Sequence, residues 1–278
     1  MTGHRVVVTC CQLELDVENP AECRRRVSEA IEHAAEQGAD IVVLPELAVT
    51  GYRFQSLAEV ESVAESTAGP TLTEWHALAA RYDLVVVGGF VEAGEDDSCY
   101  NSAALVDASG VRAVYRKAHL WDEEGNWFRP GTGPPPLVQT RFGKLGVVVC
   151  YDLEFPEWVR LAALSGTEVL CAPVNWPLFP RPEGERPSEV VKVQADASVN
   201  RMYIAACDRV GPERGTVWLG GSVIVDPDGF PLTELRLGLA TMVSATVDPR
   251  QAADKAISAR NDVFADRRPA LYGGLHQT

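Results

Sequence analysis

The chain alternates between short apolar runs of strand length and longer stretches whose apolar residues recur every three or four positions. Arg5–Gln12 reads as a strand, Pro20–Gly38 as an amphipathic helix closed by glycine, and Asp40–Pro45 as a buried strand. Pro70–Tyr82 predicts a second helix, Leu84–Val91 a strand, and Asn101–Lys117 a hairpin turning at Asp107-Ala108-Ser109-Gly110. The second half repeats the pattern with strand Gly143–Val149, helix Pro156–Ser165, strand Glu168–Pro173, helix Pro187–Arg201 and strand Tyr203–Asp208. Gly221–Asp226 joins a further strand through the turn Asp226-Pro227-Asp228-Gly229, and Thr241–Val247 supplies the last. Two mixed βα halves with so many hairpins predict an α/β fold in which sheets pack on each other with helices outside, rather than one parallel sheet. The turn-rich connections at 131–136 and 176–186 are places where sites are often built, and neither resembles a flexible linker. One domain over residues 1–278 is expected.

Composition narrows the classes. A hydrophobic fraction of 46% with 23% charged residues is that of a soluble globular protein. Lys and Arg number 25 against 39 Asp and Glu, so a formal charge of −14 makes nucleic acid and anionic membranes poor partners. The run Arg24-Arg25-Arg26 lies within a predicted helix and reads as a solvated face. No apolar stretch reaches the ~20 residues of a membrane helix, and the N-terminal segment lacks a secretory signal's long apolar region. Seven cysteines, at 10, 11, 23, 99, 150, 171 and 207, are an odd number without zinc-site spacing, which suits a reducing cytoplasm. There is no His-Glu-x-x-His string, and Gly88-Gly89 opens no dinucleotide-binding loop, so these glycines read as a sterically permissive strand position.

Three titratable residues stand at predicted strand ends. Cys150 follows a Val-rich strand and precedes a helix-opening segment, which places the thiol on a sharp turn where a helix N-terminus would lower its pKa. That turn also leaves the Tyr151 N–H to point at an oxyanion. Glu46 closes the strand Ile41–Leu44, where desolvation would raise its carboxyl toward neutrality and suit it to proton transfer. Lys117 ends the strand Val111–Arg116, and its ammonium could stabilise a thiolate or oxyanion. Taken singly, each has a plain alternative: an inert buried cysteine, a solvated glutamate, an exposed lysine.

The surrounding strings change the odds. Leu44-Pro-Glu-Leu-Ala-Val-Thr-Gly-Tyr52, Tyr115-Arg-Lys-Ala-His-Leu120 and Val148-Val-Cys-Tyr-Asp-Leu-Glu-Phe-Pro-Glu157 resemble, in order and spacing, the three catalytic motifs of the nitrilase (carbon–nitrogen hydrolase) superfamily. Trp127-Phe-Arg-Pro-Gly131, Gly220–Gly229 and Asp262–Pro269 extend the resemblance almost to the C-terminus. It implies a four-layer αββα sandwich of two mixed β-sheets flanked by helices, commonly a homodimer. It also implies a catalytic triad of Glu46, Lys117 and Cys150 with no metal or organic cofactor. The family's second glutamate maps by its spacing to Phe128 onto Glu124, with adjacent Glu123 as the alternative. Tyr151-Asp152 departs from the Trp-Glu usual in true nitrilases and looks more like the amidase and N-carbamoyl amidohydrolase branches, so a small linear amide is the expected substrate. Tyr52, Phe155, Asn175 and Trp176 are candidates to line the acyl pocket alongside Tyr151, with packing roles the alternative. The rival readings are a Cys-His hydrolase using His119, one of five histidines, of which His33 lies in a helix and His4 and His276 at the ends, and a catalytically silent binding or assembly module.

Overall fold

A computed structural model describes residues 5–95 and 98–276 and shows two mixed β-sheets packed face to face. The first has the order β13-β1-β2-β3-β4-β5, built from β1 (Val6–Gln12), β2 (Ile41–Val43), β3 (Val85–Ala93), β4 (Cys99–Asp107), β5 (Gly110–Arg116) and β13 (Thr241–Val247). The second has the order β12-β9-β8-β7-β6, from β6 (Leu137–Thr140), β7 (Gly143–Val147), β8 (Val169–Pro173), β9 (Tyr203–Cys207) and β12 (Val223–Val225). Two small ribbons complete the strands: β10 (Pro212–Glu213) with β11 (Thr216–Val217), and β14 (Ala256–Ser258) with β15 (Asn261–Asp262). In each sheet the central strands run parallel, β1-β2-β3 and β7-β8-β9, and antiparallel neighbours close both edges.

The period of two along the strands sorts side chains into layers. Ile41, Val43, Val85 and Val87 point into the core between the sheets, where they join Leu145, Val147, Val169 and Cys171. Their sequence neighbours Val42 and Val86 face the other way, onto helices α1 (Pro20–Glu36) and α3 (Pro70–Tyr82), through Val27, Ile31, Leu72 and Trp75. On the outer face of the second sheet lie α4 (Pro156–Leu164) and α5 (Ser188–Asn200), which contribute Val159, Ala162, Val190 and Val193. Helix, sheet, sheet, helix is the arrangement expected from the sequence. Helix starts follow local chemistry: Asn19 accepts the Glu22 N–H ahead of a proline at the first position of α1.

The short elements α2 (Leu57–Val63), β6, β10, β11, β14 and β15 escaped the sequence pattern, and one expectation fails. α2 is only seven residues, too short for a periodic signal, although Ser56 caps it by accepting the Glu59 N–H. The four-residue β6 was likewise silent. The strand expected after the turn at 226–229 reduces to a single bridge, Val225 to Pro231, because proline has no N–H with which to continue a ladder. The Arg24–Arg26 run is spent on Glu65, Glu22, Glu29 and Glu14, as a solvated face should be. All seven cysteines are free thiols, six of them buried. Among the described residues no helix is long and apolar enough to cross a membrane.

Candidate active site

Glu46, Lys117, Cys150 and Asn175 lie just beyond the ends of β2, β5, β7 and β8, so the packed sheets bring together residues that are far apart in sequence. The Glu46 segment is held by β3: the Gly89 N–H donates to Pro45 O at 3.1 Å and Ala48 N–H donates to Gly89 O at 2.9 Å. A Cβ at position 89 would lie 2.3 Å from Leu47 N and 2.7 Å from Glu46 Cα, so only glycine permits this approach. Lys117 forms the last rung of the hairpin, donating its N–H to Asn101 O at 2.9 Å, while its own carbonyl accepts the Gly131 N–H at 2.8 Å.

The side chains form one buried cluster. Lys117 Nζ donates to Glu46 Oε1 at 2.7 Å and to both Glu124 oxygens at 2.9 and 2.8 Å. Asn101 Nδ2 bridges the same two carboxylates, at 2.7 and 2.8 Å. Glu124 sits in the short 3-10 helix Asp122–Asn126 and also accepts the Trp121 N–H at 2.7 Å. Geometry thus places Glu124, not Glu123, beside the lysine, since Glu123 is exposed and 3.6 Å from Arg53. Burial raises the Glu46 carboxyl to about 7, with Glu124 pushing the same way and Lys117 and Asn101 opposing. Burial alone would favour a neutral Lys117, but the Glu124 and Glu46 carboxylates outweigh it and hold the ammonium protonated above its ordinary range.

Cys150 adopts a left-handed backbone with φ of 46°, a conformation costly for a residue with a Cβ, where β7 passes into the 3-10 helix Cys150–Glu154. Asp152 holds this turn by accepting the Val149 N–H at 3.0 Å, His119 Nδ1 at 2.7 Å, the His119 N–H at 3.1 Å and the Tyr115 hydroxyl at 2.7 Å. The thiol is directed at Asn175 O, 3.7 Å away, and Asn175 Nδ2 donates to Glu46 O at 3.0 Å, which ties nucleophile loop to carboxylate loop. The Tyr151 N–H lies in the first turn, where helix geometry supplies no carbonyl. A lowered thiol pKa, expected from the helix N-terminus, is not found. Burial and the Glu46 charge push the Cys150 thiol well above its usual value, with Lys117 pulling only partly back.

A cavity of about 60 Å³ opens on Cys150, walled in part by Tyr151, Asn175, Trp176 and Trp121. Tyr52, also expected to line the pocket, lies outside this lining, hydrogen-bonded to Glu124 and edge-on to Trp218 at 5.3 Å. Phe155, expected in the pocket, instead stacks on His119 with centroids 3.8 Å apart. His119 is committed to Asp152 and Phe155, which leaves it a supporting position under the nucleophile turn. Of the terminal histidines, His4 and the His276 side chain fall outside the described residues. Three buried acceptors of the cluster, Glu46 Oε2, Asn101 Oδ1 and Asn175 Oδ1, have no hydrogen-bond partner among the described residues. Asn101 and Asp152 escaped the sequence reading. The signal available was a polar amide within a strand of mostly apolar residues for Asn101, and for Asp152 its adjacency to the Cys150 turn. Among the described residues no group of three or more His, Cys, Asp or Glu is arranged to hold a metal.

The carbon-nitrogen hydrolase family model matches residues 7–256. A protein from Pyrococcus abyssi described as a nitrilase is 34% identical over 96% of this chain and 99% of its own length. A 2-oxoglutaramate amidase from Bacillus subtilis is 30% identical over 95% of this chain and 98% of its own. Among solved structures, a mutant of the amidase from Nesterenkonia sp. AN1 aligns with a TM-score of 0.77 at 27% identity, covering 97% of this chain and 96% of that one. It shows covalent addition of the acetamide moiety of fluoroacetamide at the active site cysteine.

Proposed function

Because this chain belongs to the carbon–nitrogen hydrolase family, we propose that it hydrolyses a small linear amide to a carboxylic acid and ammonia, through a thioester on Cys150. The observation that carries this reading is the junction of the three groups: Lys117 bonds Glu46 at 2.7 Å, and the charges of both act on the Cys150 sulfur. The Nesterenkonia amidase, which carries an adduct on its active site cysteine, supports the role given to Cys150.

In this mechanism the thiol is neutral at rest, so attack and proton loss occur together. Cys150 Sγ bonds to the amide carbonyl carbon as its proton passes to Glu46, whose raised pKa suits it to take a proton and return it. The oxyanion is held by Lys117 and the Tyr151 N–H. The tetrahedral intermediate collapses by breaking C–N, and Glu46 returns the proton to the nitrogen so that ammonia leaves. Water then attacks the thioester while Glu46 takes its proton, C–S breaks, and the sulfur recovers its proton from Glu46. Glu124 keeps Lys117 charged and in place. The chemistry requires no cofactor.

The test is ammonia release from a panel of small amides, N-carbamoyl compounds and nitriles by the wild-type protein and Cys150→Ala. The expected result is turnover of amides that disappears in the variant while its melting temperature stays near wild type. Ammonia release by Cys150→Ala would overturn the mechanism, and preference for the carbamoyl compounds would move the substrate to the N-carbamoyl branch. We also propose a homodimer, supported by the exposed Leu161, Leu164, Val191 and Val199 on α4 and α5. Light scattering on the eluting protein checks this.

A further inference from the structure

We propose that the cavity at Cys150 selects amides carrying a positive charge, an ammonium or guanidinium, beyond the scissile carbonyl, with Glu189 as the residue that reads that charge. The inference rests on the amide reading above and deepens it.

Two carboxylates share the cavity wall with the nucleophile, Glu154 and Glu189. Glu154 is already neutralised, since Lys192 Nζ lies 2.5 Å from it. Glu189 has no cation paired with it among the described residues, so the wall keeps one net negative charge. The adjoining loop cancels itself, with Arg181 and Arg186 against Glu183 and Glu185. Glu189 lies in the first turn of α5, where an acid complements the helix dipole, and that effect alone could account for the residue type. The dipole does not account for what surrounds it. Four aromatic rings, Trp121, Tyr151, Trp176 and Phe179, line the same small space, and aromatic faces attract cations most strongly where water is excluded.

A second observation comes from within the cavity. Asn175 is 3% exposed and lines the wall, yet its Oδ1 has no donor among the described residues. A buried acceptor left without a donor is costly, and a ligand N–H would satisfy it. Glu189, Asn175 with its unpaired acceptor and four aromatic residues therefore line one space that can take a nitrogen-rich, cationic small molecule. The overall charge of −14 favours approach of the same class and disfavours anionic amides.

The test compares three amides of matched length, β-alaninamide, butanamide and succinamate, at pH 7.5 in wild type and Glu189→Gln. Wild type is expected to prefer β-alaninamide over butanamide in kcat/KM, chiefly through KM, with succinamate last. Glu189→Gln should reduce the β-alaninamide to butanamide ratio by about fivefold, the scale of one partly exposed charge contact. A readout independent of turnover is alkylation of Cys150 by 2-bromoethylammonium relative to iodoacetamide, followed by intact mass. That ratio should fall in the same variant. Equal handling of β-alaninamide and butanamide by wild type, or ratios unchanged by Glu189→Gln, would overturn the inference while leaving the amidase reading intact. If no amide turns over, the amidase reading fails, and the alkylation ratio still decides whether the cavity selects cations.

Discussion

Glu46 is the residue whose chemistry is most exposed to measurement. Burial raises its carboxyl to about 7, and a base works only when deprotonated, so kcat/KM should rise with pH through about 7. Glu46→Gln should lose that limb of the profile and at least about 100-fold in rate. An unchanged limb would assign it to another group. Lys117→Ala should cost about 100-fold or more in kcat through the lost oxyanion donor. It should also cost about 3–5 kcal/mol in denaturant unfolding, because two buried carboxylates lose their cation. At this scale much was legible in the sequence, since the strings around Glu46, Lys117 and Cys150 are distinctive and spacing selects Glu124. What could not be read there is the balance of fields at the sulfur. A short helix end lowers a thiol pKa by a modest amount, whereas burial beside Glu46 raises it by more, and burial is a property of the fold.

Strand ends position the cluster, and their register depends on backbone approach rather than on side-chain contact. At Gly89 a methyl group would collide with the Glu46 and Leu47 backbone, and at Gly131 it would lie 2.1 Å from Arg116 O. Gly89→Ala and Gly131→Ala should each destabilise by about 1–3 kcal/mol. Both should lower kcat by more than an exposed control such as Gly133→Ala, where a Cβ meets nothing within 4 Å. Equal kcat for all three would show that these approaches do not position the site. The sequence pattern treated Gly88-Gly89 only as permissive, because the segment it must admit lies more than forty residues away. Long strands and helices were readable from their periodicity. α2, β6 and the 3-10 turns at 122–126 and 150–154 were not, since two turns or four residues carry too little pattern.

Among the described residues three buried carboxyls, Glu46, Asp196 and Asp208, are each raised to about 7, mainly by burial, and together they bear on the whole molecule. Between about pH 4.5 and 7 the folded chain therefore holds more protons at these sites than the unfolded chain, so they lower stability as pH rises. The growing negative charge above a pI near 4.8 acts in the same direction. The melting temperature should fall from pH 5 to pH 7.5, and a rise over that interval would contradict this. The convergence of two sheets on one sulfur is a more specific claim, and mass spectrometry addresses it directly. Protein quenched during turnover of a small amide should carry the acyl mass of that substrate, and peptide mapping should place it on Cys150. Ammonia release with no adduct in the quenched protein, or with the acyl group on another residue, would contradict the account.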